Sequence, residues 1–250
     1  MPRYFIEVAY SGTLYSGFQT QENAITIQQK VEEALHILTK IPFALTGSSR
    51  TDAGVHAKQN FFHVDTDYLL SSKHIYSLNA ILPADIAIVA ISKVKPEAHA
   101  RFDAISREYQ YFIHTAKSPF LLHQSWLYPF PVSVNKLNEA AAFLQSLSNF
   151  ETFSKRNTQV KTFECKLFTS QWFYNEHNQL VYKVVGNRFL RGMVRALVGT
   201  MLQYGRGKIN FEQFKAIAHS KDCTKADFST PPHGLFLVAV NYPQQLFVNS

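Results

Sequence analysis

The chain reads as an α+β protein made of two similar halves that share one mostly antiparallel sheet with helices on one face. Three observations give that reading. Strand-like segments alternate with amphipathic helices along the 250 residues. The same order of elements recurs on either side of a seam at residues 95–106. A hydrophobic content of 46% with mean hydropathy −0.13 is enough for one large core or two smaller ones, and is far from a disordered composition. The two halves are residues 1–105 and 106–250. No residue-level repeat accompanies them, so the duplication is one of architecture.

In the first half, residues 4–9 alternate as a strand, and Gly12 and Gly17 mark tight turns in the loop that follows. Thr26 with Gln29 forms a capping box, and Ile27, Val31, Leu35 and Leu38 recur at helical spacing up to Lys40, before Pro42. Residues 42–46 read as a second strand and residues 59–65 as a third. Ser71 or Ser72 caps a short helix carrying Ile75 and Leu78, which Pro83 ends. The unbroken apolar run at 86–94 reads as a buried central strand. In the second half, residues 107–115 form a strand and Ser133 caps a helix carrying Leu137, Ala141, Leu144 and Leu147. Two strands, 166–174 and 180–186, lead into a long helix from Arg188 to about Tyr204. Asn210 with Gln213 starts a last helix, and residues 234–240 close as a strand.

Lys and Arg number 25 against 18 acidic residues, a net charge of +7, which favours a polyanionic partner, nucleic acid ahead of membrane. The 21 Phe and 12 Tyr make flat surfaces for base stacking, although most of them must form the core. Cys165 and Cys223 are too far apart for a metal clip, and no paired histidines at helical spacing appear, so no metal site is expected. Two cysteines without a signal peptide read as a cytoplasmic chain with reduced thiols. No apolar stretch approaches the ~20 residues that span a membrane.

The stretch Ser48-Ser49-Arg50-Thr51-Asp52-Ala53-Gly54-Val55-His56-Ala57-Lys58 places a carboxylate on a tight loop beside a fixed cation. Such a carboxylate can act as nucleophile or base, although a lone Asp in a loop more often caps a turn. Arg188, Arg191 and Arg195 stand at i, i+3 and i+7 and so share one face of the long helix, opposite Leu190, Val194, Leu197 and Met201. A helix anchored in this way makes arginine a stiff phosphate clamp; the plain alternative is a solvated basic face. Lys155, Arg156, Lys161 and Lys166 form a second basic cluster near Phe150 and Phe153. Arg107, Tyr109, Tyr111 and Ile113 alternate onto one face of their strand, where a tyrosine is either core or, at a cleft edge, a stacking platform.

Arg50-Thr51-Asp52-Ala53-Gly54-Val55-His56-Ala57 resembles the signature of the TruA family of tRNA pseudouridine synthases. The resemblance runs nearly the length of the chain. It includes Tyr10-Ser11-Gly12-Thr13 with Gly17-Phe18-Gln19-Thr20-Gln21, then Asn79-Ala80-Ile81-Leu82-Pro83-Ala84-Asp85-Ile86, and His99-Ala100-Arg101-Phe102. Arg107-Glu108-Tyr109-Gln110-Tyr111, Asn187–Arg195 and Gly234–Val240 are similar to later family segments. Ser11, Phe18 and Ser49 depart from the family's more usual Asp, Trp and Gly. The serine at 49 means that this loop cannot require a positive φ there.

The resemblance implies two RRM/ferredoxin-like halves with an active-site cleft between them, and an isomerase that turns uridine into pseudouridine in the tRNA anticodon stem-loop. The glycosidic C1′–N1 bond is cut, the base turns, and it rejoins through C5. The change needs no redox step or group donor, so no cofactor is expected. Asp52 would supply the carboxylate, attacking the sugar or base or abstracting a ribose proton, and Arg195 would pair with it. Tyr109 would stack on the base, Arg50 would prop open the gap left by the flipped base, and Leu235 would line the pocket. Arg188 and Arg191 would bind substrate phosphates, and the family implies a homodimer. Two other classes stand beside this reading. A non-catalytic RNA binder would not need a carboxylate facing phosphate. An aspartate-dependent hydrolase would show a metal cluster, a phosphate loop or a Ser-His pair.

Overall fold

A computed structural model describes residues 1–156 and 160–248. They are α+β, with nine strands and five α-helices among the described residues. The chain divides into two compact units, residues 1–106 with 236–250 and residues 107–235, so that the last strand, apart from Leu235, belongs with the first unit.

The first unit follows a β-α-β-β-α-β order: β1 (Arg3–Tyr10), α1 (Ile27–Thr39), β2 (Thr46–Gly47), β3 (His56–Asp65), α2 (Ile75–Ile81) and β4 (Ile86–Val94). Its sheet runs β4-β1-β3, with β2 against β3. These pairings are antiparallel, whereas β9 (Leu235–Asn241) joins β3 in parallel at Phe236 and Leu237. The sheet is therefore mixed. Ile6, Val8, Phe18 and Phe62 are buried, as are Ile27, Val31 and Leu35 of α1, while Phe5, on the other face of β1, meets Phe61 and Tyr242. Thr26 caps α1 by accepting from Gln29 N, but the Gln29 amide turns to Glu33, so the capping box closes on one side only. Lys40 ends the helix in the left-handed conformation, φ 63°.

Two expectations fail here. Residues 42–46 are not a strand; only Thr46 and Gly47 pair with β3. Pro42 offers no N–H to a ladder, and the backbone of Leu45 is taken by α1, its N–H donating to Glu32 and its C=O accepting from Gln28. The apolar run of β4 is no central strand either. It lies at the edge of the path, beyond β1, with Val89 exposed.

The second unit holds β5 (Ser106–His114), β6 (Trp126–Leu127), α3 (Val134–Gln145), β7 (Leu167–Tyr174), β8 (Leu180–Gly186), α4 (Met193–Gly205) and α5 (Phe211–His219). Its strands order as β5-β8-β7 with antiparallel pairings, and β6 adds to β5 in parallel. Tyr111, Tyr182, Phe150, Phe153 and Phe214 are among its fully buried side chains. Both halves of the Asn210–Gln213 capping box are made, at 2.9 and 2.8 Å. Leu147 lies beyond the end of α3.

The long helix is shorter than expected. It begins at Met193, because Gly192 is left-handed with φ 73° and a side chain there would run into Lys155. Arg188 and Arg191 therefore sit on the loop before the helix and do not share a helical face with Arg195.

Candidate active site

The Asp52 loop is held from below by a polar cluster that composition alone does not reveal. Ser48 N donates to Phe61 O at 2.8 Å, which ties the start of the loop to β3. Asn60, fully buried on β3, donates to Ser49 O and to the Tyr10 hydroxyl and accepts from Ser48 Oγ at 2.7 Å. Tyr10 Oη meets Thr51 Oγ1 at 2.8 Å. Each such bond is worth about 1 kcal/mol net, and an orphaned buried partner would cost more, so the cluster fixes one loop geometry. Val55 N closes the turn onto Asp52 O at 3.2 Å, with Gly54 at φ 76°. Ser49 is not among the residues with positive φ, so its serine costs the backbone nothing.

The opening loop packs under this turn. A Cβ on Gly12 would lie 2.0 Å from Val55 O, so only glycine allows the approach, and Gly12 N donates to His56 Nδ1 at 3.1 Å. Phe18 N donates to Thr51 O, while Tyr15 Oη donates to Asp85 at 2.6 Å and thereby ties the loop to the start of β4. Burial, followed by the Asp85 carboxylate, pushes the Tyr15 phenol well above its ordinary range. Asn79 pairs with both the N–H and the C=O of Ile88. Asn79 and Asp85 of the mid-chain motif are thus fastenings of the scaffold. The result presents Asp52 half-buried and Arg50 exposed on a rigid turn.

In the second unit, Tyr109 is buried on β5 with its ring edge-on to Phe189 at 5.0 Å. The neighbouring Arg107 donates to Asn187 O, which seats the 187–189 segment on the strand. Tyr111 faces the same side, as its alternation predicts, and donates to Pro231 O at 2.7 Å. Arg195, on α4, donates through Nε to Thr230 O at 2.6 Å. Both bonds pin residues 230–231, a short turn ahead of Leu235, which is buried at the start of β9. A Cβ on Gly234 would meet the Tyr111 ring at 2.7 Å.

Arg188 and Arg191 gain a setting that spacing did not foretell. Lys155 N donates to Arg191 O, and its side chain covers Gly192. Asn187 Oδ1 accepts from Lys166 N and Asn187 N returns a bond to Lys166 O. Lys155 and Lys166 of the second basic cluster therefore adjoin the loop that carries Arg188 and Arg191. Arg50 and Asp52 lie in the first unit, and Tyr109, Arg188, Arg191, Arg195 and Leu235 in the second.

Among the described residues no group of three or more His, Cys, Asp or Glu side chains could hold a metal ion. Cys165 is buried, which pushes its thiol up to about 11. No helix among the described residues is long and apolar enough to cross a membrane.

Comparison with known proteins meets this geometry. A family model described as tRNA pseudouridine synthase matches residues 140–243. Proteins named tRNA pseudouridine synthase A are similar along almost the whole chain. The one from Parabacteroides distasonis is 43% identical over 99% of this chain and 98% of its own. That of Bacteroides fragilis is 43% identical over 98% of both chains. The Porphyromonas gingivalis protein is 42% identical over 99% of this chain and all of its own. The chain belongs to the tRNA pseudouridine synthase A family. As a family member it is an isomerase acting on tRNA.

Proposed function

We propose that this enzyme isomerises uridines of the tRNA anticodon stem-loop, using Asp52 as the catalytic carboxylate and no cofactor. The observation that carries the reading is the Asp52 turn itself: a half-buried carboxylate on a loop fixed by Asn60, Tyr10 and Thr51, beside an exposed Arg50. In this reading Asp52, Tyr109 and Arg195 act on the same uridine. Asp52 attacks or abstracts a proton, Tyr109 stacks on the base, and Arg195 pairs with the carboxylate. Arg50 fills the gap left by the flipped base, a step that itself costs a few kcal/mol of unstacking. Leu235 supplies an apolar wall, and Arg188 and Arg191, gathered with Lys155 and Lys166, take the phosphates. The halves at 1–105 and 106–250 divide these tasks between them, and the working protein is a cytoplasmic homodimer.

Incubating unmodified tRNA transcripts with the purified protein and mapping pseudouridine along each transcript tests this proposal. The reading expects modification confined to the anticodon arm without any added metal or cofactor. Pseudouridine appearing only in another arm would overturn the assigned region.

A further inference from the structure

A cleft of about 190 Å³ opens beside Arg50 in the first unit, and none of the roles above uses it. Its lining includes the buried Phe18 and Leu45 together with Arg50, His99, Arg101 and Phe102. That volume is below the roughly 300 Å³ of ordinary small-molecule pockets, so it suits one end of a polymer and not a whole metabolite. Its rim carries cations and an aromatic ring. Phe102 is 73% exposed, with the His99 ring 4.2 Å from it and the Arg101 guanidinium 5.7 Å from its centroid.

A single exposed Phe is ordinary on a protein surface, but this one is held in place by five bonds to its turn. The backbone N–H groups of Arg101 and Phe102 both donate to His99 Nδ1. His99 N donates to Asp103 Oδ2 at 2.7 Å, which turns the only carboxylate of residues 99–103 inward. Ala100 N donates to His63 Nδ1 and Ala100 O accepts from the Tyr242 hydroxyl. A Cβ at Gly47 would lie 2.3 Å from Phe18, so the glycine lets the Phe18 ring pack directly against β2 beside the cleft. The turn is preorganised around an exposed ring and a cation, an arrangement that suits a base and its phosphate.

We infer that this cleft holds one unpaired nucleotide of the RNA next to the reacting uridine, with its base stacked on Phe102 and its phosphate held by Arg101. Arg50 lines the cleft and stands two positions before Asp52, with at most about 7 Å between their Cα atoms, so the cleft adjoins the loop that carries the carboxylate. The inference rests on the proposed RNA substrate and adds a positioning subsite to it.

The test uses the full chain and tRNA transcripts, with fluorescence anisotropy for binding and pseudouridine formation for turnover. Phe102→Ala should raise both Kd and KM by about tenfold, leave kcat at saturating tRNA within about twofold, and leave the salt dependence of binding unchanged. Phe102→Trp should restore binding, and Arg101→Gln should shallow the log–log salt slope by about 0.7. Thermal melting of each variant at the parent midpoint shows that the fold is intact. Unchanged Kd and KM in Phe102→Ala, or a loss of kcat alone, would overturn the subsite. The binding arm reads even if the parent makes no pseudouridine: Phe102-dependent tRNA binding would then uphold the subsite while the proposed reaction fell.

Discussion

His63 shows how a residue remote from Asp52 sets the conditions under which the first unit holds together. Its ring is buried on β3, accepts the Ala100 N–H and lies 4.5 Å from His99. Burial first, then the charges of His99 and Arg3, push its pKa down to about 4. In the unfolded chain the same imidazole titrates near about 6.5. Between those values the unfolded state takes up a proton that the folded state refuses, so stability is complete above the unfolded pKa and falls as pH drops towards the folded one. Allowing for the solvent that reaches this edge of the sheet, the loss is roughly 2 kcal/mol from this residue. Urea unfolding at pH 7.5 and pH 5 should show a little more than half of that difference in the parent, since pH 5 lies between the two pKa values, and His63→Gln should flatten it. The sequence did not point to His63. Histidines scattered through a chain carry no spacing signal, and the partners that bury this one come from residues 98–103 and from β1. Asp52 was legible because its neighbours are contiguous; Asn60, which fixes the same turn, was hidden because only the sheet brings it beneath Ser49.

At the level of elements, the periodic segments were readable and the edges were not. Helices α1, α3 and α5 begin at their capping residues because Thr26, Ser133 and Asn210 each accept from an N–H three residues on. Arg188, Leu190, Arg191 and Val194 mimic helical spacing across the start of α4, and the signal that breaks it is Gly192, which takes a left-handed φ of 73°. The consequence reaches function. Arg188 and Arg191 belong to a loop that Lys155 and Lys166 also adjoin, so under the proposed function each would serve as an individual phosphate contact and not as part of a helical stripe. tRNA affinity should fall linearly in log–log with salt, at roughly 0.7 to 0.9 per contact. Arg188→Ala and Arg191→Ala should each lower that slope by one contact or less and weaken all tRNAs alike, whereas Tyr109→Leu should spare the slope and lower turnover. Titration of the parent and the three variants across a salt series checks this, and a flat dependence in the parent would reduce the basic loop to a solvated surface.

For the whole molecule, the α+β class and the recurrence of strand–helix order were present in the hydrophobic pattern, since periods of 2 and 3.6 survive without knowledge of neighbours. Strand order was not, because β1 finds β3 and β4 on its two sides through tertiary packing that no local pattern encodes. The same limit separates what the sequence said of the site from what it left out. Contiguous motifs named Asp52 and Arg50, while the cleft between Phe18 and Phe102 joins segments more than eighty residues apart and had to be seen in the fold. The central claim is that the Asp52 carboxylate, and not the basic and aromatic surface around it, performs the isomerisation. Asp52→Asn keeps the shape and the turn's backbone bond to Val55 while removing the charge. Pseudouridine formation and tRNA affinity measured side by side on this variant test the claim most directly. The account predicts undetectable product with a tRNA Kd within about threefold of the parent, the separation expected when a nucleophile is lost and phosphate contacts remain. Turnover near the parent rate would contradict it.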